Sequence, residues 1–274
     1  NVMIIRYFLP LLFVIFSSCD FQGDNPKRSE EFKSEIEKIL SKQDLKGTIL
    51  VFDSKNKTYY SNNFELAEKG YLPASTFKIV NSIIALETNV LKDENDSMKW
   101  DGEKRAFDSW EKDMTVREAF QASCLPCYQN VARHIGEKRM KTYLNKLHYN
   151  NMDVSESTIA NFWIEGKSRI TPFEQVDFLQ RFYTKKLPIL NSTYDKMLRI
   201  FEKENTSNYI YFVKTGWSQD NDHNNGWFVG LIDKRPDVFY FALNVEPIDQ
   251  NNTSKFAEGR EIATREVLKL LQIL

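Results

Sequence analysis

Ser75 is followed three residues later by Lys78, and behind that lysine runs Ile79-Val80-Asn81-Ser82-Ile83-Ile84-Ala85-Leu86. So apolar a segment predicts a helix buried in the interior, around which the rest of the chain must fold. If the helix begins near Ser75, a spacing of three places hydroxyl and amine on one face, about one turn apart. The hydroxyl then lies at the positive end of the helix dipole, with an amine in reach of its proton. Apolar walls disfavour the charged form of Lys78 and leave a usable base near neutral pH. The same two residues also describe an ordinary helix start followed by a surface lysine. Far downstream, Tyr209 to Val213 is aromatic and β-branched, and reads as a strand running into Lys214-Thr215-Gly216-Trp217.

Other chemistries find little support. The three histidines are His134, His148 and His223. His134 falls in the helical pattern Asn130-Val131-Ala132-Arg133-His134-Ile135, and His223 in the polar stretch from Asp220 to Asn225. Neither context is catalytic, so a lysine base is more economical than a Ser-His-Asp triad. No His-x-His or His-Glu-x-x-His spacing occurs, and no metal site is expected. Glycine is scarce at ten residues and forms no phosphate-binding loop, while a net charge of -1 gives no pull toward nucleic acid.

A chain of 274 residues with 42% hydrophobic content can bury a full core in one or two domains. Arg6, the apolar run Tyr7 to Phe16, and Ser17-Ser18-Cys19 follow the order of a signal peptide, too short to span a bilayer, expected over residues 1–19. Small residues before a cysteine resemble a bacterial lipoprotein processing site. That predicts export from a bacterial cytoplasm, to the periplasm or to a membrane held through lipidated Cys19. Phe16 is not the usual aliphatic residue there, which leaves plain secretion or an uncleaved anchor as alternatives.

Residues 20–28 read as a polar linker and 29–274 as the folded domain. Phe32, Ile36, Ile39 and Leu40 give a helical stripe between Ser29 and Lys42. Lys46–Phe52 and Lys57–Ser61 read as paired strands around Asp53-Ser54-Lys55-Asn56. From about 90 to 190 the pattern is helical, with one well-marked start: Thr171 as N-cap, Pro172 at the first position and Glu174 closing a capping box. Strands are expected at Tyr209–Val213, Gly226–Ile232 and Val238–Val245, then a helix over Ser254–Leu271. The fold class is α/β with an all-α insertion, and such a junction is a common place for a site. Cys124 and Cys127 have the spacing of a redox pair, but are expected as two small buried apolar side chains.

With these residues in place, the chain resembles the class D, or oxacillinase-type, serine β-lactamases from about Lys46 to its end. Pro73-Ala74-Ser75-Thr76-Phe77-Lys78 matches the first motif of that family. The second, Ser-x-Val, stands here as Ser123-Cys124-Leu125, followed by the family-like Pro126, Tyr128 and Gln129. The third, Tyr-Gly-Asn, stands as Tyr149-Asn150-Asn151. Phe162-Trp163-Ile164-Glu165-Gly166 matches the segment with the family's active-site tryptophan. Lys214-Thr215-Gly216 is intact, Gly226-Trp227-Phe228-Val229-Gly230 resembles the next strand, and Arg260 falls where the family places an arginine.

The resemblance implies the penicillin-recognising serine-enzyme fold, a central antiparallel sheet flanked by helices with an all-α subdomain. It implies a small-molecule β-lactam substrate and an acyl-enzyme on Ser75. Lys78, carboxylated by carbon dioxide and held by Trp163, would be the general base, with no other cofactor. Ser123 would relay a proton, while Lys214, Thr215 and Arg260 hold the substrate carboxylate. Leu125, Gly216 and Trp217 would line the cleft, Gly216 by letting backbone approach the ligand. Ser75 and Trp217 N–H groups would form the oxyanion hole. Leu125 for valine would crowd the base, and Asn150 for glycine would tolerate a left-handed backbone. Each residue has a plainer role open to it: Trp163 as core, Ser123 as a helix cap, Arg260 on a solvated helix face. The alternative function is a non-hydrolytic β-lactam sensor or a transpeptidase-like domain, and the chain is a monomer or homodimer.

Overall fold

The computed structural model describes residues 25–220 and 223–274. The signal segment and Cys19 lie outside the described residues. Strands β1 (Lys27–Ser29), β2 (Leu45–Asp53), β3 (Thr58–Ser61), β6 (Glu202–Asn205), β7 (Ile210–Asp220), β8 (His223–Lys234) and β9 (Asp237–Pro247) form one sheet, in the order β1-β3-β2-β9-β8-β7-β6. Every neighbouring pair is antiparallel except β1 with β3, so the sheet is mixed at one edge. The tail of the expected linker supplies that edge: Lys27-Arg28-Ser29 has no apolar alternation, and only its pairing with Thr58-Tyr59-Tyr60 makes it a strand.

Strand residues alternate between two cores, as a period of two demands. Leu50, Phe52, Phe212, Trp227, Val229, Leu231, Tyr240 and Ala242 belong to the larger cluster, under the helical block. Ile49, Val51, Tyr211, Val213, Phe228, Phe241, Leu243 and Val245 face the other side. There they pack with α1 (Lys33–Lys42) and α9 (Phe256–Leu270), both of which start later than the sequence pattern suggests. The helical block follows α2 (Phe64–Glu68) and comprises α3 (Lys78–Glu87), a hairpin of β4 (Ser97–Met98) and β5 (Met114–Thr115), α4 (Val116–Gln121), α5 (Leu125–Ile135), α6 (Glu137–Lys146), α7 (Pro172–Tyr183) and α8 (Asn191–Phe201). α3 is buried from Lys78 through Leu86, as its composition predicts. α7 begins with the capping box read from the sequence, Thr171 Oγ1 accepting from Glu174 N–H at 3.0 Å while Glu174 accepts from Thr171 N–H at 2.8 Å. Among the described residues no helix is long and apolar enough to cross a membrane.

Candidate active site

Ser75 lies in a 3₁₀ turn, Ala74–Phe77, that leads into α3; the α-helix itself begins only at Lys78. Residues three apart eclipse in a 3₁₀ turn, which aligns the pair more directly than an α-helical turn would. Lys78 Nζ donates to Ser75 Oγ at 2.7 Å. The lysine is wholly buried, its ammonium position 5.4 Å from the centre of the Tyr128 ring, and burial lowers its pKa from 10.5 to about 7. The turn is pinned from several sides. Thr76 Oγ1 donates to Pro73 O at 2.6 Å and accepts from Gln175 Nε2 at 2.7 Å, while Trp227 Nε1 donates to Leu72 O at 2.8 Å.

β7 runs on through Lys214-Thr215-Gly216-Trp217, well past the predicted strand end, because β8 pairs it in register to the end. β6 covers only Ile210–Phe212, so the other edge of β7 is open where it passes the Ser75 turn. Gly216 earns its place there: a Cβ would stand 3.2 Å from Thr76 Cγ2 and Trp227 Cβ, and 3.3 Å from Pro73 O. Its bareness serves packing of strand on turn, a reason distinct from the ligand approach expected of it. Lys214 follows Phe212 on the face toward the helical block. Its Nζ contacts Ser123 Oγ and donates to Thr215 O at 3.1 Å. Burial pushes its pKa well below the lysine range, helped by the neighbouring Lys78 and Arg260 charges.

Ser123 is not a helix cap. Cys124 is, and Pro126 stands second in α5. Ser123 instead takes a left-handed backbone, φ +52°, in the turn between α4 and α5. Cys124 and Cys127 are joined in a disulfide, which corrects the expectation of two free apolar side chains. Leu125 is half-buried against the larger core.

Trp163 is buried, stacked on Phe77 with ring centres 5.5 Å apart. Its carbonyl accepts Ala74 N–H at 2.7 Å, which ties its loop to the serine turn. Its indole N–H is fully buried without a hydrogen-bond partner among the described residues. Gln129 Nε2 donates to Asn161 Oδ1 at 2.7 Å and braces the same loop from α5. Glu165 is exposed. The left-handed residues here are Asn151 of the third motif and His148 just before it, so Asn150 needs no such tolerance.

Arg260 is buried, not solvated. Nε donates to Phe256 O at 3.0 Å, and Nη1 donates to Trp227 O at 3.2 Å and to Gly216 O. Gly226 makes room for it, since a Cβ there would meet Arg260 Cδ and Phe256 Cζ at 2.7 Å. Burial lowers its pKa to about 10, which keeps it charged at neutral pH. Trp217, half exposed, donates its indole N–H to Asn224 Oδ1 at 2.9 Å. Thr215 is half-buried beside Lys214. The sequence offered no signal for Phe120, whose ring centre lies 5.5 Å from Lys214 Nζ, or for the Gln175 brace.

The penicillin binding protein transpeptidase domain matches residues 43–267 of this chain. Beta-lactamase OXA-10 of Pseudomonas aeruginosa is 38% identical over 231 residues, 83% of this chain and 85% of its own. The class D β-lactamase YbXI from Nostoc, a crystal structure, superposes with a TM-score of 0.83 at 38% identity, over 87% of this chain and 99% of that one. The C-terminal domain of the Bacillus licheniformis BlaR penicillin-receptor does so with a TM-score of 0.80 at 26% identity, over 90% and 97%. Sequence and fold reach the same place by separate routes, and the chain belongs to the class D β-lactamase family.

Proposed function

We propose that the protein hydrolyses the β-lactam ring of penicillin-like antibiotics through an acyl-enzyme on Ser75. The 2.7 Å contact between Lys78 Nζ and Ser75 Oγ, in a pocket that holds the amine near a pKa of about 7, carries the reading. At neutral pH a large fraction of Lys78 is uncharged and can take the hydroxyl proton as Oγ attacks the lactam carbonyl. Backbone N–H groups of Ser75 and Trp217 would face the developing oxyanion. Ser123 would pass a proton to the ring nitrogen as its bond to the carbonyl carbon breaks. Lys214 and Thr215 would hold the substrate carboxylate, and an incoming anion favours the ammonium form that burial of Lys214 opposes. Arg260 adds positive potential, although Nε and Nη1 are engaged with backbone carbonyls.

The pocket also fits a carboxylated lysine. A lysine of lowered pKa can react with carbon dioxide, and Trp163 keeps a buried donor without an acceptor, so these two residues would hold the product. When formed, that group supplies a base for the serine proton and for the deacylating water. No other cofactor enters the scheme. Export, with lipidation at Cys19, belongs to the same proposal and rests on the order of Arg6, the apolar run and Ser17-Ser18-Cys19.

Steady-state hydrolysis of a penicillin, with and without added bicarbonate, tests the reading. Multiple turnovers that rise with bicarbonate and vanish in Ser75→Ala are expected. One covalent equivalent without turnover would place the chain with the receptor-type domains instead, and labelling that survives Ser75→Ala would sink the nucleophile.

A further inference from the structure

The Cys124–Cys127 bridge closes the first turn of α5, with Cα atoms 5.4 Å apart. One end is a single peptide bond from Ser123, whose hydroxyl contacts Lys214. Ser123 has φ +52°, the left-handed position that ends α4. Upstream, Trp110 Nε1 donates to Ala122 O at 3.0 Å, and the N–H groups of Ser123 and Cys124 donate to Phe120 O and Ala119 O at 3.1 and 2.9 Å. Downstream, Tyr128 N–H donates to Cys124 O at 3.3 Å, and the bridge adds a covalent hold, with Cys127 N–H donating to Cys124 Sγ at 3.3 Å. The two sulfurs differ in access. Cys124 is wholly buried, whereas Cys127 is half-buried and lines a cavity of about 850 Å³ with Trp100, Trp110, Pro126 and Asn130.

We propose that Cys124–Cys127 is a thiol-reactive site that holds Ser123 in place, and that small dithiols entering through this cavity are the class of molecule it takes. Only the effect on acylation rests on the function proposed above. A dithiol thiolate attacks Cys127 Sγ, the S–S bond breaks, and Cys124 leaves as a thiolate that takes up a proton. The second thiol of the reductant then attacks its own sulfur in the mixed disulfide. A cyclic disulfide departs, and Cys127 is released and protonated. Two electrons pass to the protein, and both protons come from the dithiol. Reduction removes the covalent part of the downstream hold while the backbone hydrogen bonds on both sides remain, so Ser123 loosens without the fold opening.

The full chain is treated with dithiothreitol or left oxidised, then divided among three readouts: alkylation mapped by mass spectrometry, hydrogen exchange over residues 119–128, and the rate of Ser75 acylation by a penicillin. Cys127 is expected to alkylate before Cys124, and the Ser123 and Cys124 amides to exchange faster. Acylation should slow by roughly three- to tenfold. Reoxidation should restore all three, and a Cys124→Ala, Cys127→Ala variant should behave as the reduced form in both conditions. A bridge that resists the dithiol overturns the proposal. So does full reduction that leaves exchange and acylation unchanged, or that loosens the whole chain instead of this turn. A protein not acylated in either state sinks the function proposed above, while alkylation and exchange still decide the redox site.

Discussion

A lysine with no exposure and an indole N–H with no partner among the described residues are each unfavourable on their own, the first for its lost hydration and the second for its unmade hydrogen bond. An anionic group on Lys78 would relieve both at once, by removing the need for a buried cation and supplying the acceptor. Trp163→Phe keeps an aromatic ring against Phe77 and removes the donor together with part of the buried indole. A hydrogen bond to a charged group contributes about 1.5–3 kcal/mol, so turnover at ambient carbon dioxide should fall about 10- to 100-fold and recover in excess bicarbonate. Thermal stability should fall modestly, because the volume vacated in the core outweighs relief of the unmade bond. Unchanged kinetics of Trp163→Phe without bicarbonate would remove the indole from the chemistry. Ser75 and Lys78 were readable because their relation is local, three residues along one turn. The buried state of Arg260 was not, because Gly226 on β8 decides it from far along the chain.

At the scale of elements, β7 binds the two halves of the site together. Its outer half carries Lys214 and Gly216 past the serine turn, and that half is a strand by virtue of its partner. Lys-Thr-Gly-Trp-Ser-Gln has weak strand propensity, which is why sequence reading ended the strand at Val213, whereas Thr171-Pro172-Phe173-Glu174 announced α7 through local hydrogen bonds alone. The disulfide was set aside for a different reason: the spacing permits a bridge across one helical turn, but it fits two apolar side chains equally well. Gly216→Ala should force β7 and the turn apart by a few tenths of an ångström, since Thr76 is fixed by two hydrogen bonds. A loss of about 1–3 kcal/mol in stability is expected from such overpacking, with slower acylation. Thr171→Ala provides the contrast: about 1 kcal/mol lost with the capping box, and acylation kinetics nearly unchanged. Equal kinetic effects from the two would deny β7 its positioning role.

For the whole molecule, the buried amines shape stability against pH. The folded pKa of Lys78, about 7, lies below its ordinary 10.5, so between those values the unfolded chain holds a proton that the folded chain has shed. Stability therefore rises with pH across that window, and the lowered pKa of Lys214 adds with the same sign. Tyrosines with raised pKa oppose this above about pH 10, half-buried Tyr71 among them at about 12. In buffer free of carbon dioxide, Lys78→Met should be more stable than the parent at pH 6.5, by several kcal/mol, on the order of the shift in the Lys78 pKa. The gap should narrow by about 3 kcal/mol by pH 9.5, and a gap that stays constant with pH would mean that Lys78 titrates normally. The sheet, finally, sets an order in time. β2 pairs with β9 from Leu45 opposite Pro247 to Asp53 opposite Phe239, so its central seam joins segments made at opposite ends of synthesis. Such distant pairing forms slowly. A ribosome that stalls after Leu86 has already made the nucleophile and its base, yet β7 and β9 do not exist, and neither does a place for either residue to act. Activity thus arrives late and all together, and an interrupted chain is inert instead of partly armed.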